Sequence, residues 1–152
     1  MTLLTHTEAI NPATGESLGN IPQNNITDIK DSVKKIKLAQ IAWAHLSFSE
    51  RGKYLRQMQQ HLVAHGEEYA RVISADNGKT LADAYMTEIS SAVLAFDYYI
   101  KHSARVLRPR RIKGSHIFSL FTRNRLQHVP MGVIGIISPW NYPLAIPMHE
   151  IL

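Results

Sequence analysis

The chain has 152 residues, 45% hydrophobic and 19% charged residues, a formal net charge of +5 and no cysteine. Its size and mixture predict an ordinary soluble globular body and exclude a disordered polymer, while the missing cysteines exclude disulfides, thiolate metal sites and a cysteine nucleophile within these residues. No apolar run approaches the roughly 20 residues of a membrane-spanning helix, and Met1 to Ala9 lack the basic start and apolar stretch of a secretory signal. A cytoplasmic protein without a membrane partner is expected.

Ile10-Asn11-Pro12-Ala13-Thr14-Gly15-Glu16-Ser17-Leu18 places turn-forming residues between short apolar segments, which predicts a β-hairpin. From about Thr27 the period becomes helical, with Ile29, Val33, Ile36 and Trp43 on one stripe and Lys30, Lys34, Lys35 and Lys37 mostly outside it. A second helix starts near Ser47, whose spacing to Glu50 is that of a capping box, and runs through Leu55, Met58 and Leu62 to Gly66 as its terminator. A third spans roughly Glu67 to Asp76 and stops at Asn77-Gly78, both of which tolerate the left-handed conformation. Thr80 and Asp83 then open the longest helix, with the apolar stripe Leu81, Tyr85, Ile89, Ala92, Phe96 and Tyr99. Glu88, on that helix, reads as a solvated edge residue or as the buried partner of an arginine.

Pro109 ends the helix, and Ile117 to Val129 reads as an arm-like pair of extended segments. Val133-Ile134-Gly135-Ile136-Ile137 is a continuous apolar run of the kind found in strands buried on both faces of a parallel sheet. Each further parallel strand needs a crossover unit of roughly 30 residues, so the chain reads as stopping in mid-fold, within the helix after its first parallel strand. Ser138-Pro139-Trp140-Asn141-Tyr142-Pro143-Leu144 follows at the carboxyl end of that strand, where open α/β sheets hold ligands. Two prolines stiffen the turn, and Asn141 offers a side-chain N–H that a fixed turn could aim at a developing negative charge. From the residues alone, Asn141 reads first as a turn asparagine capping the next helix, and Trp140 as a buried aromatic under a loop.

Two other patterns carry alternatives. His61, His65 and Glu68 have the i, i+4, i+7 spacing of a divalent-metal site, but Gly66 interrupts that face, so no metal is expected. Arg105, Arg108, Arg110, Arg111, Lys113, Arg123 and Arg125 form a basic cluster that would bind nucleic acid or an anionic surface only if they made one solvent-facing patch. No nucleic-acid motif accompanies them, and arginines near an arm strand more often pair with carboxylates of a neighbouring subunit.

The segment Pro130-Met131-Gly132-Val133-Ile134-Gly135-Ile136-Ile137-Ser138-Pro139-Trp140-Asn141-Tyr142-Pro143 resembles the form P-x-G-V-x-x-x-I-x-P-W-N-[FY]-P of the aldehyde dehydrogenase superfamily. Asn11-Pro12-Ala13-Thr14-Gly15-Glu16, Trp43, Arg51, Asn77-Gly78-Lys79-Thr80 and Glu88 agree in order, so the likeness covers nearly the whole chain. The resemblance implies an aldehyde dehydrogenase-like α/β fold: a hairpin, amphipathic helices and an oligomerisation-type arm over 1–130, then the first strand of a Rossmann-like parallel sheet over 131–152. It implies oxidation of a small-molecule aldehyde to a carboxylate with NAD or NADP, and assembly as a homo-oligomer. By the same resemblance Asn141 is the catalytic oxyanion donor, and Ile137, Ser138, Pro139 and Trp140 line the cofactor site beside the ribose and nicotinamide. The family's nucleophilic cysteine and its Leu-Glu-Leu-Gly-Gly-type glutamate segment have no counterpart here, so the 152 residues alone are expected to be inactive. The rival expectation is a non-catalytic remnant that only self-associates through exposed strand edges.

Overall fold

The computed structural model of the chain describes residues 6–112 and 124–152. Strands β1 (His6–Ile10) and β2 (Ser17–Pro22) form the antiparallel hairpin, with a bulge between Ala9 and Ile10. The turn is built by Asn11, whose side-chain oxygen accepts from the backbone N–H of Ala13 at 2.9 Å and of Thr14 at 3.3 Å. Gly15 completes it in the left-handed region, at φ 75°.

Helix α1 (Ile26–His45) begins at Asn25, which with Asp28 makes a capping box. No residue of α1 is buried, and the stripe Ile29, Val33, Ile36 and Trp43 stays exposed. The helix therefore has the predicted pattern, but among the described residues nothing buries it. Helix α2 (Phe48–Ala64) is closed at its start by the predicted Ser47/Glu50 box. Between α1 and α2 the Arg51 guanidinium sits 5.7 Å from the Trp43 ring centroid and 5.6 Å from that of Phe48, and donates to the Ala44 carbonyl at 3.3 Å.

Gly66 is not the terminator its position suggests. It is the first residue of α3 (Gly66–Asn77) and is buried. A Cβ added to it would lie 3.0 Å from Ile89 Cγ2 and 3.3 Å from Tyr85 Cε2, so glycine is required here by close approach and not by backbone freedom. The end of α3 does follow the prediction: Gly78 has φ 79° and its N–H bonds the Ser74 carbonyl at 3.0 Å.

The long helix is continuous in chain but not in pitch. A first turn, α4 (Leu81–Asp83), is capped by the Thr80 side chain, a π-helical stretch occupies Ala84–Ser90, and α5 (Ser91–Val106) completes it. The wider π turn rotates the N-terminal half of the stripe. Ala84 and Glu88 turn inward beside Ile89, Ala92 and Phe96, while the predicted Leu81 and Tyr85 remain exposed. Leu62, Ala70, Ile73, Ala84, Ile89, Ala92 and Phe96 form one core cluster, with Leu144 and Met148 packed against it.

Beyond Pro109, β3 (Arg110–Ile112) pairs antiparallel with β4 (Asn124–Leu126). Only β4 falls within the stretch expected to form an arm-like pair, Ile117 to Val129; its partner β3 lies before that stretch, and Ile117 to Arg123 lies outside the described residues. Val133 to Ile137 makes no strand pairing among the described residues, and Ile134, Ile136 and Ile137 are exposed. The predicted first parallel strand is thus not formed, because a parallel ladder needs a neighbour and no described segment supplies one. The chain closes with α6 (Ala145–Ile151), which packs on α5.

The whole chain exposes 12228 Å², whereas a compact monomer of 17.2 kDa would expose about 7,800 Å². None of its described helices is long and apolar enough to cross a membrane.

Two outcomes are expected. Gly66→Ala should destabilise the chain by about 1 to 3 kcal/mol through overpacking against buried Ile89; urea unfolding with an unchanged or raised midpoint would contradict this. The Ser47 hydroxyl, then the Ser47 backbone N–H, hold the Glu50 carboxyl below its ordinary value, with Lys53 contributing. The capped form is therefore favoured above the unfolded carboxylate value, and that preference is lost as pH falls through the lower folded value. NMR titration should show Glu50 moving up toward the ordinary value in Ser47→Ala; no movement would contradict the assignment.

Candidate active site

The turn from Ser138 to Leu144 is irregular backbone, so its shape must be imposed by contacts with its surroundings. Three such contacts come from the stretch that runs from the end of α3 into the π turn. The Asn77 side-chain N–H donates to the Trp140 carbonyl at 3.0 Å. The Lys79 ammonium lies 3.9 Å from the centroid of the Tyr142 ring. The Glu88 carboxylate accepts from the backbone N–H groups of Leu144 at 3.1 Å and Ala145 at 2.8 Å.

The last contact replaces a cap that the local sequence lacks. Leu144 stands at the N-cap of α6 and has no side-chain oxygen to offer the first turn. Glu88 supplies the acceptor from another helix, and its negative charge also suits the N-terminal end of α6. Glu88 is 0% exposed, and its other oxygen pairs with Lys79, itself largely covered. Of the two readings of Glu88, the solvated edge residue is thus excluded, and the buried partner is a lysine where the other reading had an arginine. Both carboxylate oxygens are thereby used, which a fully buried charge requires.

Asn141 sits between these anchors. Its side chain is exposed and makes no hydrogen bond among the described residues. It does not cap α6, so the helix-capping alternative is excluded by the geometry of Leu144 and Glu88. Trp140 is 83% exposed and Ile137 99% exposed, so Trp140 is not the buried aromatic of the alternative reading. Pro139 is also exposed, and the Ser138 hydroxyl donates to Glu150 at 3.3 Å. The five predicted site residues thus share one turn, with the side chains of Ile137, Trp140 and Asn141 uncovered.

The histidine face has a different use from the one its spacing suggests. His61 and His65 stack with ring centroids 4.2 Å apart, His61 Nε2 lies 2.9 Å from the Tyr69 hydroxyl, and His65 Nδ1 lies 2.9 Å from the His61 carbonyl. Among the described residues no group of three acidic or histidine side chains is arranged to hold a metal. On the arm, Arg110, Arg111 and Arg125 are exposed, with Arg111 opposite Arg125; Lys113 and Arg123 lie outside the described residues.

Residues 2–152 match the sequence profile of the aldehyde dehydrogenase family. The chain belongs to the aldehyde dehydrogenase family. Among its relatives are an aldehyde dehydrogenase-like protein of Saccharomyces cerevisiae and the mitochondrial succinate-semialdehyde dehydrogenase of Arabidopsis thaliana. The first is 36% identical over 134 residues, which are 87% of this chain and 21% of the relative. The second is 32% identical over 143 residues, 93% of this chain and 26% of the relative. The NAD+ complex of aldehyde dehydrogenase from Bacillus cereus superposes with a TM-score of 0.83 at 29% identity, covering 96% of this chain and 29% of that one. The chain therefore spans between a fifth and a third of the lengths of these relatives, and its fold is an aldehyde dehydrogenase-like α/β arrangement over that span.

The sequence alone did not single out Asn77, Lys79 and Tyr142 as anchors of the turn. The available signal was Glu88 itself, a carboxylate set among Ala84, Ile89 and Ala92, where only a buried partner and backbone donors can stabilise it. Gly78 links the anchors to the hairpin, since a Cβ there would lie 3.0 Å from Pro12 Cγ and would have to adopt φ +79°. Gly78→Ala should therefore destabilise the chain by about 1 to 2 kcal/mol from the left-handed backbone alone; a thermal midpoint equal to that of the parent chain would contradict this.

Proposed function

We propose that this chain supplies the oxyanion-donor turn of an NAD(P)-dependent aldehyde dehydrogenase that oxidises a small-molecule aldehyde to a carboxylate. The observation that carries the reading is the state of Asn141. Its side-chain amide is exposed and unbonded among the described residues, while the backbone is held ahead of it at Trp140 and behind it at Leu144 and Ala145, and the Tyr142 ring next to it lies against Lys79. A donor of this kind needs no reorganisation when an aldehyde oxygen gains negative charge on nucleophilic attack, and that is where a hydrogen bond accelerates the step. The chain has no cysteine, so the attacking thiolate belongs to residues outside these 152.

The cofactor residues fit the same reading. Ile137 and Trp140 present uncovered apolar surface beside a fixed turn, which suits the ribose and nicotinamide side of a dinucleotide. A nicotinamide held there by Ile137 and Trp140 would supply the hydride acceptor for the oxidation. Pro139 keeps the surface rigid, and the Ser138 hydroxyl, held toward Glu150, fixes where the apolar segment ends. On this reading residues 1–130 form the helical part and an oligomerisation arm, and residues 131–152 begin the cofactor-binding sheet. The surface in excess of a compact monomer and the bare α1 stripe support assembly into a homo-oligomer.

In the catalytically complete protein, Asn141→Ala should lower kcat by about 10² to 10³ with little change in KM. A kcat within about twofold of the parent enzyme would contradict the assignment. The purified 152-residue chain should give no aldehyde-dependent formation of NAD(P)H, and turnover above the buffer control would contradict the absence of a nucleophile from it.

A further inference from the structure

Resting on the reading of Asn141 as oxyanion donor, we propose that Lys79 and Glu88 are positioning residues for that donor, acting together with Asn77. The Pro139–Pro143 turn has no internal secondary structure, yet the backbone on each side of Asn141 meets a fixed group. Ahead of it, Asn77 holds the Trp140 carbonyl at 3.0 Å. Behind it, Lys79 lies under the Tyr142 ring at 3.9 Å, and Glu88 holds the Leu144 and Ala145 amides. Lys79 and Glu88 are themselves paired, so one buried ion pair sets the position of two consecutive parts of the turn.

The sources of rigidity are independent of the turn. Asn77 and Lys79 flank Gly78 at the left-handed end of α3, and Glu88 lies in the π stretch whose widened pitch turns it inward beside Ile89. The donor is thus located by two groups at the end of α3, Asn77 and Lys79, and by a third, Glu88, nine residues after Lys79 in the π stretch. Catalytic amides lose effect when displaced by about 1 Å, so weakening these anchors reduces kcat through Asn141 and leaves binding nearly unchanged. A merely structural role would lower activity equally whether or not Asn141 is present.

A double-mutant cycle in the catalytically complete protein distinguishes the two. Glu88→Gln keeps the shape and removes the charge; it should lower kcat about tenfold or more, with KM for aldehyde and for NAD(P) within about twofold. Asn77→Ala, which leaves the buried pair in place and so protects the test against misfolding, should lower kcat about fivefold. On an Asn141→Ala background each substitution should cost less than about twofold in addition. Equal losses on both backgrounds, or an unchanged kcat in both single variants, would overturn the proposal. If Asn141→Ala alone leaves kcat unchanged, the donor reading itself fails and the positioning role falls with it. In the 152-residue chain, Lys79→Met should speed amide exchange at Leu144 and Ala145 about tenfold relative to Phe96. Uniform acceleration across all three amides would also count against a local anchoring role.

Discussion

A carboxylate with no solvent exposure organises this chain. A carboxylate buried in the core, as that of Glu88 is, needs a donor at each of its oxygens, since an uncompensated buried polar group costs free energy that nothing else returns. One oxygen takes Lys79 and the other takes the Leu144 and Ala145 amides. Satisfying the carboxylate therefore fixes a lysine from the α3–α4 connection and the start of α6 at one point. The same requirement runs in reverse for α6, whose first turn has no local cap and whose exposed donors need an acceptor from elsewhere.

The surrounding elements can be read as conditions for that contact. The π stretch turns Glu88 to the core side of its helix, where a regular α-helical pitch would present Tyr85 instead. Gly66 lets α3 approach Ile89, the immediate neighbour of Glu88. Gly78 ends α3 in the left-handed region and sends Lys79 back toward the pair, with Pro12 of the hairpin turn closing over it. Close packing of this kind leaves little tolerance for altered volume, so the hairpin, α3 and the long helix converge on the stretch that carries Asn141.

Much of the fold is legible in the sequence because its signals are local. Asn11 and Gly15 build a turn from their own side chain and backbone freedom, Ser47/Glu50 and Thr80/Asp83 cap the helices they precede, and Asn77-Gly78 ends the helix it follows. Asn141 and its neighbours are legible through their motif. The parts that were not legible are set by partners distant in sequence. Whether Gly66 ends a helix or admits Ile89 depends on a residue 23 positions later. The π turn has no local signature in Ala84–Ser90, and its effect on Tyr85 appears only once Glu88 has its donors. Val133 to Ile137 has the composition of a buried strand, but composition cannot provide the neighbouring strand a ladder requires.

The excess surface and the unburied stripe of α1 agree with a chain that spans only part of the length of its aldehyde dehydrogenase relatives. The Glu88 cluster is nevertheless complete within the chain, which makes it directly observable. The decisive measurement is the through-hydrogen-bond scalar coupling between the Ala145 amide nitrogen and the Glu88 carboxylate carbon, by NMR of the labelled 152-residue protein. The 2.8 Å contact predicts a resolved coupling at Ala145 and a weaker one at Leu144; no coupling at either amide, with both exchanging at solvent rates, would contradict the account.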